Sequence, residues 1–253
     1  MRTDNQAAVT DDAVLGGRLR LRQPRKGHRF GHDAILLAAA TPAHPGEHAV
    51  DLGAGVGAAG LALAWRVERL SVTLAEIDAS LVALAAENAA MNGFGDRVNA
   101  VVSDVACLDL AVASADRVLM NPPFNDAERQ NLSPDAGRRL AHAAAADTLA
   151  IWVEAAARLL RAGGTLTLIW RADGLGDVLA RLSTAFGEIA VLPVHPRPNT
   201  TAIRVLVRAT KASAAPLRLY PAFFLNDADG RPSQAAEAVL RDGAILPLAK
   251  SWA

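Results

Sequence analysis

Short apolar runs alternate with segments of helical periodicity along most of the chain, which is the pattern of an α/β fold with a largely parallel sheet. The runs that we interpret as buried strands are Ala49–Leu52, Val72–Glu76, Val98–Val102, Asp116–Met120, Thr165–Trp170, Ala190–Val194 and Thr201–Val207. The helical segments are Ala34–Ala40, Leu61–Trp65, Ser80–Asn92, Thr148–Arg161, Asp177–Phe186 and Ala235–Leu240. One further strand is expected within Leu217–Leu225.

The N-terminal segment differs from this pattern. Residues 1–14 show no clear period and are interpreted as a loose lead-in, whereas Arg18–Arg22 alternates like an edge strand with one apolar face. The cations here include Arg20, Arg22, Arg25 and Lys26, and no acid occurs between Ala13 and His32. Two interpretations stay open: a solvated strand face that prevents edge pairing, or a surface that contacts phosphates. We therefore divide the chain into a basic segment, 1–30, packed on a main domain, 31–253.

Composition narrows the class of protein. At 253 residues, 51% hydrophobic and 21% charged, the chain fits one α/β domain with small additions. The formal net charge is zero, so any basic surface must be local. The single cysteine excludes an intramolecular disulfide, and no apolar run approaches 18 residues. We expect a soluble cytoplasmic protein with no membrane partner and no metal ion.

A glycine-rich turn, Gly53-Ala54-Gly55-Val56-Gly57, joins the first of these strands to a helix. Glycines permit a tight turn and close approach of a ligand, and the helix N-terminus offers free N–H groups. The spacing also satisfies a relaxed dinucleotide fingerprint. However, Asp51 stands just before the first glycine and would repel a pyrophosphate. It suits a ligand with a cationic amine, such as the methionine part of S-adenosylmethionine.

Acids follow the next two strands. Glu76 lies 23 residues after Gly53, which is the spacing at which an acid binds ribose hydroxyls. Asp78 is interpreted as the cap of the helix that follows. Asp104, after the third strand, could accept from an adenine amine or cap the next turn, and Asp33 stands where an N-cap would precede Ala34–Ala40.

The fourth strand leads into Asn121-Pro122-Pro123-Phe124. Ligands of open α/β sheets gather beyond the carboxyl ends of the strands. The two prolines restrict the backbone, so the Asn121 side-chain oxygen and a neighbouring carbonyl form a fixed pair of acceptors beside the ring of Phe124. Taken alone, these letters also fit an ordinary turn. With the glycine-rich turn upstream, they predict a slot for a planar group that carries an NH2, such as the exocyclic amine of a base.

In this order, the motifs resemble the class I S-adenosylmethionine-dependent methyltransferases that act on amino groups. The greatest similarity is to the bacterial family that methylates adenine N6 beside the anticodon of a valine tRNA, over roughly residues 18 to 245. The residues that carry it are Gly31–Leu37, Asp51–Gly57, Ala75–Asp78 and Asn121–Phe124. The chain departs from that family at Phe124, where Tyr is typical, and at His32, where Thr is typical. Phenylalanine preserves stacking and loses only a hydroxyl.

The resemblance implies a Rossmann-like, seven-stranded, doubly wound, mostly parallel sheet whose last strand is antiparallel. It implies that S-adenosylmethionine lies across the ends of the first three strands. Its methionine end would contact Asp51 and the turn Gly53, Ala54, Gly55 and Gly57. Glu76 and Ile77 would hold the ribose side, Asp104 the adenine, and Gly31 and Asp33 would close the site, with Asn121 also beside the cofactor.

The implied reaction is methylation of an exocyclic amine, most favourably adenine N6 in tRNA. Asn121 and the Pro122 carbonyl would bind the amine, Phe124 would stack on the base, and Pro123 with Arg20, Arg22, Arg25 and Lys26 would contact the RNA. Two alternatives stay open: methylation of a glutamine amide in a protein, and a non-catalytic binding module. A nicotinamide-dependent dehydrogenase is the weakest alternative, because no acid or base for hydride transfer is evident.

Overall fold

Strands and helices alternate through most of the chain, as the hydrophobic pattern predicts. The computed structural model describes residues 9–26, 29–123 and 134–250, with side chains left out for 134–146. The strands are β1 (Val9–Val14), β2 (Leu19–Pro24), β3 (His48–Leu52), β4 (Ser71–Glu76), β5 (Val98–Val102), β6 (Ala115–Met120), β7 (Leu160–Arg171), β8 (Phe186–His195), β9 (Arg204–Lys211), β10 (Arg218–Leu219) and β11 (Phe223–Phe224). The helices are α1 (His32–Ala40), α2 (Ala58–Arg66), α3 (Ala79–Met91), α4 (Pro134–Leu159), α5 (Leu175–Leu182) and α6 (Gln234–Leu240).

One sheet organises the domain, in the order β10-β8-β9-β7-β6-β3-β4-β5, with β11 also paired to β8. β9 is antiparallel to both neighbours, and the other pairs in the sheet are parallel. This confirms the doubly wound α/β class and the antiparallel seventh strand. The count of seven was too low, because β10 and β11 add to the sheet. They replace the single strand expected within Leu217–Leu225, where Pro221 has no N–H with which to continue a ladder.

Apolar side chains cover both faces of the sheet. On one face, α1 and α2 pack residues such as Leu36 and Leu61 against Leu119. On the other face, α4 and α5 contribute a second cluster that includes Val153 and Val178. Burial of each such side chain stabilises the fold by about 1.5–3 kcal/mol. The two layers hold the carboxyl ends of the parallel strands in fixed positions.

Residues 9–24 form a hairpin, so the expectation of a loose lead-in is wrong for residues 9–14, while residues 1–8 lie outside the described residues. β1 pairs with β2, and alternate residues of β2, such as Leu19 and Leu21, are buried, which confirms the predicted apolar face. The other edge of β2 is covered by two asparagines one turn apart, Asn88 on α3 and Asn92 at its C-cap. The Asn92 amide exchanges two hydrogen bonds with the Arg20 backbone, at 3.0 and 2.7 Å. Asn88 does the same with Arg22, at 2.7 and 3.0 Å. Side-chain amides thus satisfy backbone groups that a neighbouring strand would otherwise bind; the domain division at residue 30 stays a prediction.

The boundary between α4 and β7 differs from expectation. The predicted helical segment Thr148–Arg161 runs to Arg161, but α4 ends at Leu159, and β7 begins immediately after it and contains Ala162-Gly163-Gly164. The register of β7 against β6 shifts between Ala115 and Arg117, so the glycines lie where the pairing of the two strands is irregular. None of the helices in the described part of the chain is long and apolar enough to cross a membrane.

Candidate active site

A cavity of about 720 Å³ opens at the carboxyl ends of β3, β4, β5 and β6. Most of the residues predicted for the site line this cavity: Gly31, Asp33, Asp51, Gly53, Ala54, Gly55, Glu76, Ile77, Asp104, Asn121, Pro122 and Pro123. Gly57, Arg20, Arg22, Arg25 and Lys26 are not among its lining residues. Phe124 lies outside the described residues.

The glycine-rich turn has the left-handed backbone that its sequence predicts. Gly53, Gly55 and Gly57 have φ of 65°, 57° and 87°. At Gly53 an added Cβ would lie 2.2 Å from Cη2 of Trp152, whose ring packs over the turn from α4. Gly57 is buried and serves packing instead, because its Cβ would lie 2.8 Å from the side chain of Leu74. Within the turn, Gly53, Ala54, Gly55 and Val56 line the cavity and Gly57 does not.

We expect Gly53→Ala to displace Trp152 and to weaken cofactor binding by at least tenfold. The methyl group cannot fit at 2.2 Å, so either the turn or the tryptophan must move. Gly46→Ala is the matched control, since Gly46 has φ of 87° but nothing within 4 Å of an added Cβ. The control should lose about 1–2 kcal/mol of unfolding free energy and no more, because alanine at this positive φ strains only the backbone. Calorimetric titration and thermal melts of both variants measure cofactor affinity and stability. Equal losses of cofactor affinity in the two variants would show that contact with Trp152 is not the cause.

Asp51 combines deep burial with access to the cavity. Its side chain is 2% exposed, and its Oδ2 accepts from the Gly60 backbone N–H at 2.8 Å. That contact holds the first turn of α2 against β3. The pKa of the Asp51 carboxyl is raised to about 7, mainly by burial and in smaller part by the charge of nearby Glu76, while the Gly60 hydrogen bond opposes the shift. A cationic ligand group beside Asp51 would favour the ionised form.

Glu76 and Asp104 are both partly engaged by backbone groups. Glu76 Oε2 accepts from Gly55 N at 2.9 Å, and its Oε1 accepts from the backbone of Ile77 and Asp78. The carboxylate therefore joins the end of β4 to the glycine-rich turn. Asp104 Oδ1 accepts from Ala106 N at 2.9 Å, so the turn-capping alternative for Asp104 is confirmed. The same side chain also lines the cavity.

The Asn121 amide is positioned as an acceptor without a partner. Its Oδ1 is buried and has no hydrogen-bond partner among the described residues. The side chain lines the cavity beside Pro122, which is buried, and Pro123, which is exposed. A buried acceptor left unsatisfied costs about 1–3 kcal/mol. Such an atom at a cavity wall indicates a place where a ligand N–H is bound.

An ion pair forms part of the cavity wall. Arg204 Nε at the start of β9 donates to Asp33 Oδ2 at 2.9 Å, and both side chains line the cavity. The expectation that Asp33 caps α1 is wrong. The N-cap is Gly31, and Asp33 lies in the first helical turn, where its charge favours the helix dipole and its carboxylate reaches Arg204.

The basic hairpin lies apart from this cavity. Arg20 pairs with Asp11 at 3.1 Å and Arg22 with Glu87 at 3.4 Å, all on exposed or half-exposed side chains. Such surface pairs are weak, so they do not prevent contact with an RNA. The observations fit the solvated-strand interpretation and leave the phosphate role of Arg20, Arg22, Arg25 and Lys26 as a prediction.

Several lining residues were absent from the predicted site, among them Arg29, Phe30, Trp152 and Arg204. Arg29 and Phe30 stand next to the predicted Gly31, so proximity in sequence could have suggested them. Trp152 lies inside a helix and Arg204 begins a strand, and neither carries a local motif. Only the folded sheet shows that they face the cavity.

Sheet order, glycine-rich turn and acids at strand ends define a class I methyltransferase fold. The profile of the methyltransferase small domain family matches residues 29–196, and the chain belongs to that family. It is an S-adenosylmethionine-dependent methyltransferase.

Individual relatives agree with this assignment. A tRNA1(Val) (adenine(37)-N6)-methyltransferase of Tolumonas auensis is 32% identical over 65% of this chain and 68% of its own. A release factor glutamine methyltransferase of Chlorobaculum tepidum is 31% identical over 56% of this chain and 52% of its own. The crystal structure of a predicted O-methyltransferase from Agrobacterium tumefaciens superposes with a TM-score of 0.71, at 26% identity, over 85% of this chain and 98% of its own.

Proposed function

We propose that this protein transfers a methyl group from S-adenosylmethionine to the exocyclic N6 amine of an adenine in tRNA. The unsatisfied Asn121 oxygen at the wall of the cofactor cavity carries the proposal. Relatives named for this reaction support it; one from Porphyromonas gingivalis is 31% identical over 68% of this chain.

The residues that line the cavity fit the cofactor. Asp51 would face the ammonium of the methionine end, because its buried carboxyl gains most from a cationic neighbour. Glu76 would accept from the ribose hydroxyls through lone pairs that remain after its backbone contacts. Asp104 would accept from the adenine amine through the oxygen that does not cap the turn. When bound, the cofactor supplies an electrophilic methyl group on a sulfonium.

The chain's own residues then orient the acceptor amine. An adenine amine is a poor nucleophile, because its lone pair is delocalised into the ring. Asn121 Oδ1 and the Pro122 carbonyl would each accept one N–H, which favours a pyramidal nitrogen and directs its lone pair at the methyl carbon. The bound cofactor would supply the methyl group to this nitrogen, and its sulfur would keep the electron pair of the C–S bond. The methylated cationic amine then loses its proton to water, so alignment and fixed dipoles suffice without a general base.

A target base must enter the cavity from outside a duplex. Single-stranded loops of RNA present splayed bases that can be stacked on aromatic side chains. Phe30 lines the cavity and offers one such ring; stacking of a base on an aromatic contributes about 1–3 kcal/mol. This favours an RNA loop over a duplex as the substrate.

A glutamine amide in a protein is the second candidate. Its NH2 would fit the same two acceptors, and the relative named release factor glutamine methyltransferase favours it. Charge separates the two candidates weakly, because the net charge is zero and the hairpin arginines have acidic partners.

Incubation with methyl-tritiated S-adenosylmethionine and either total RNA or protein extract tests the proposal. We expect label in RNA that co-chromatographs with N6-methyladenosine after nuclease digestion. Fractionation of the RNA should place the label in tRNA. Label found only in protein, as N5-methylglutamine after hydrolysis, would replace the proposal with the second candidate. Label in neither pool would favour a non-catalytic binding module.

A further inference from the structure

Two arginines outside the predicted cofactor contacts stand side by side on β7 and β9, and one of them, Arg204, lines the cavity. We propose that Arg171 and Arg204 form a phosphate-binding pair that holds the RNA backbone beside the target nucleotide. The inference rests on the proposed function, since it assigns the polynucleotide contact of the same site. The phosphate contact is thereby assigned to the ends of β7 and β9 rather than to the basic hairpin.

The register of the sheet brings the two arginines together. Arg171 ends β7, Arg204 begins β9, and they are direct partners in the antiparallel ladder. Residues directly opposite in such a ladder project to the same face, with Cβ atoms about 4.5–5.5 Å apart. Like charges in this position destabilise a sheet. Here Asp173 and Asp33 each offset one of the two charges, so the sheet can hold two guanidiniums side by side.

The two arginines lie at the same end of the sheet as the carboxyl ends of the parallel strands. β6 and β7 are parallel neighbours, with Met120 aligned to Leu168, so Arg171 is at the same end as Asn121. Arg204 lines the cavity itself. A nucleotide whose base reaches Asn121 would thus carry its flanking phosphates past these side chains. The hairpin arginines Arg20 and Arg22 do not line the cavity.

Acidic neighbours fix both guanidiniums without enclosing them. Asp173 accepts from Arg171 Nε and Nη2 at 3.0 and 2.7 Å, and Asp33 accepts from Arg204 Nε at 2.9 Å. The arginine side chains are still 26% and 29% exposed. A guanidinium has five N–H donors, so it can bind a carboxylate and a phosphate oxygen together. The negative charge of Asp33 is also stabilised by the helix dipole, because Asp33 lies in the first turn of α1.

Arg171→Gln and Arg204→Gln test the pair against a control on the same strand. Arg161 is also an arginine in an ion pair, with Asp116 as its partner. It lies near the start of β7, at the opposite end of the strand from Arg171. The measurements are kcat/KM for RNA between about 50 and 200 mM salt, cofactor Kd by calorimetry, and Tm. All use the full chain.

Each of the two variants should raise the KM for RNA on the order of tenfold, because a hydrogen-bonded charge is lost. The slope of log kcat/KM against log salt should become shallower by about 0.7 for each single-strand phosphate contact removed. Cofactor Kd should stay unchanged in Arg171→Gln, Arg161→Gln should keep the wild-type slope, and Arg171→Lys should recover most of that slope.

Other outcomes would overturn the pair. Wild-type RNA labelling with unchanged salt slopes in both variants would reject it while leaving the proposed function standing. Loss of cofactor affinity in Arg204→Gln would assign Arg204 to the cofactor carboxylate instead. A lower Tm with an unchanged salt slope would make the arginines structural only. Absence of any RNA labelling by the wild type would reject the proposed function, and this inference with it.

Discussion

Asn121→Ala is expected to lower kcat by two to three orders of magnitude while leaving cofactor affinity nearly unchanged. Removal of one preorganised polar group at a reacting centre typically costs about 10²–10³ in rate. The side chain would act only on the amine, because its Oδ1 is the acceptor left without a partner at the cavity wall. Single-turnover rates with saturating cofactor and RNA measure the loss, and calorimetry measures cofactor Kd.

Stability should move in the other direction. A buried oxygen without a partner costs about 1–3 kcal/mol in the free enzyme, and alanine removes that cost. The Tm of Asn121→Ala should therefore equal or exceed that of the wild type. Pro123→Ala is the matched control, since Pro123 lines the same cavity but is exposed and carries no side-chain acceptor. If cofactor affinity fell in parallel with turnover in Asn121→Ala, Asn121 would belong to the cofactor site and the amine would need another clamp.

Local patterns were sufficient where one short stretch determines the geometry. The strand, glycine-rich turn and helix from β3 to α2 follow the sequence closely, because positive φ at Gly53 and Gly55 is a property of the backbone itself. Asp78 caps α3 as predicted, with Oδ1 accepting from Ser80 N at 2.8 Å. The order of motifs at successive strand ends also placed Asp51, Glu76, Asp104 and Asn121 around one cavity.

Predictions failed where tertiary contacts decide. Asp33 has the residue type of a cap, yet Gly31 takes that position and Asp33 binds Arg204, 171 residues away. The glycines after α4 resemble a helix end, yet parallel pairing with β6 draws them into β7. Val9–Val14 has weak local periodicity and becomes a strand through β2. Trp152 and Arg204 join the cavity through packing that no short pattern encodes.

The second large effect concerns Asp51. Asp51→Asn should weaken cofactor binding by about 30-fold or more, since truncating one partner of a buried charge pair costs about 2–5 kcal/mol. Asparagine keeps an oxygen for the Gly60 N–H, so the start of α2 should stay in place. The loss would then report the missing negative charge rather than a damaged fold.

The raised pKa adds a proton signature. In the free enzyme the Asp51 carboxyl has a pKa of about 7, and a bound ammonium would lower it. Cofactor binding near pH 6.5 should therefore release a substantial fraction of one proton, and cofactor affinity should rise with pH up to about 7. Calorimetry in two buffers of different ionisation enthalpy measures this release, which Asp51→Asn should abolish. Equal proton release by variant and wild type would assign the titration to another group.

Stability of the free enzyme should show the opposite pH trend. Because the folded pKa lies above the unfolded value of 3.8, Asp51 contributes most stability below pH 4 and loses it as pH rises to about 7. The Tm of Asp51→Asn relative to wild type should therefore increase between pH 5 and pH 8. Asp51 and Asn121 would then share one physical property: each carries a buried polar atom that is unfavourable in the free protein and that a bound ligand would stabilise. That shared cost is the reason why both positions point to binding rather than to folding.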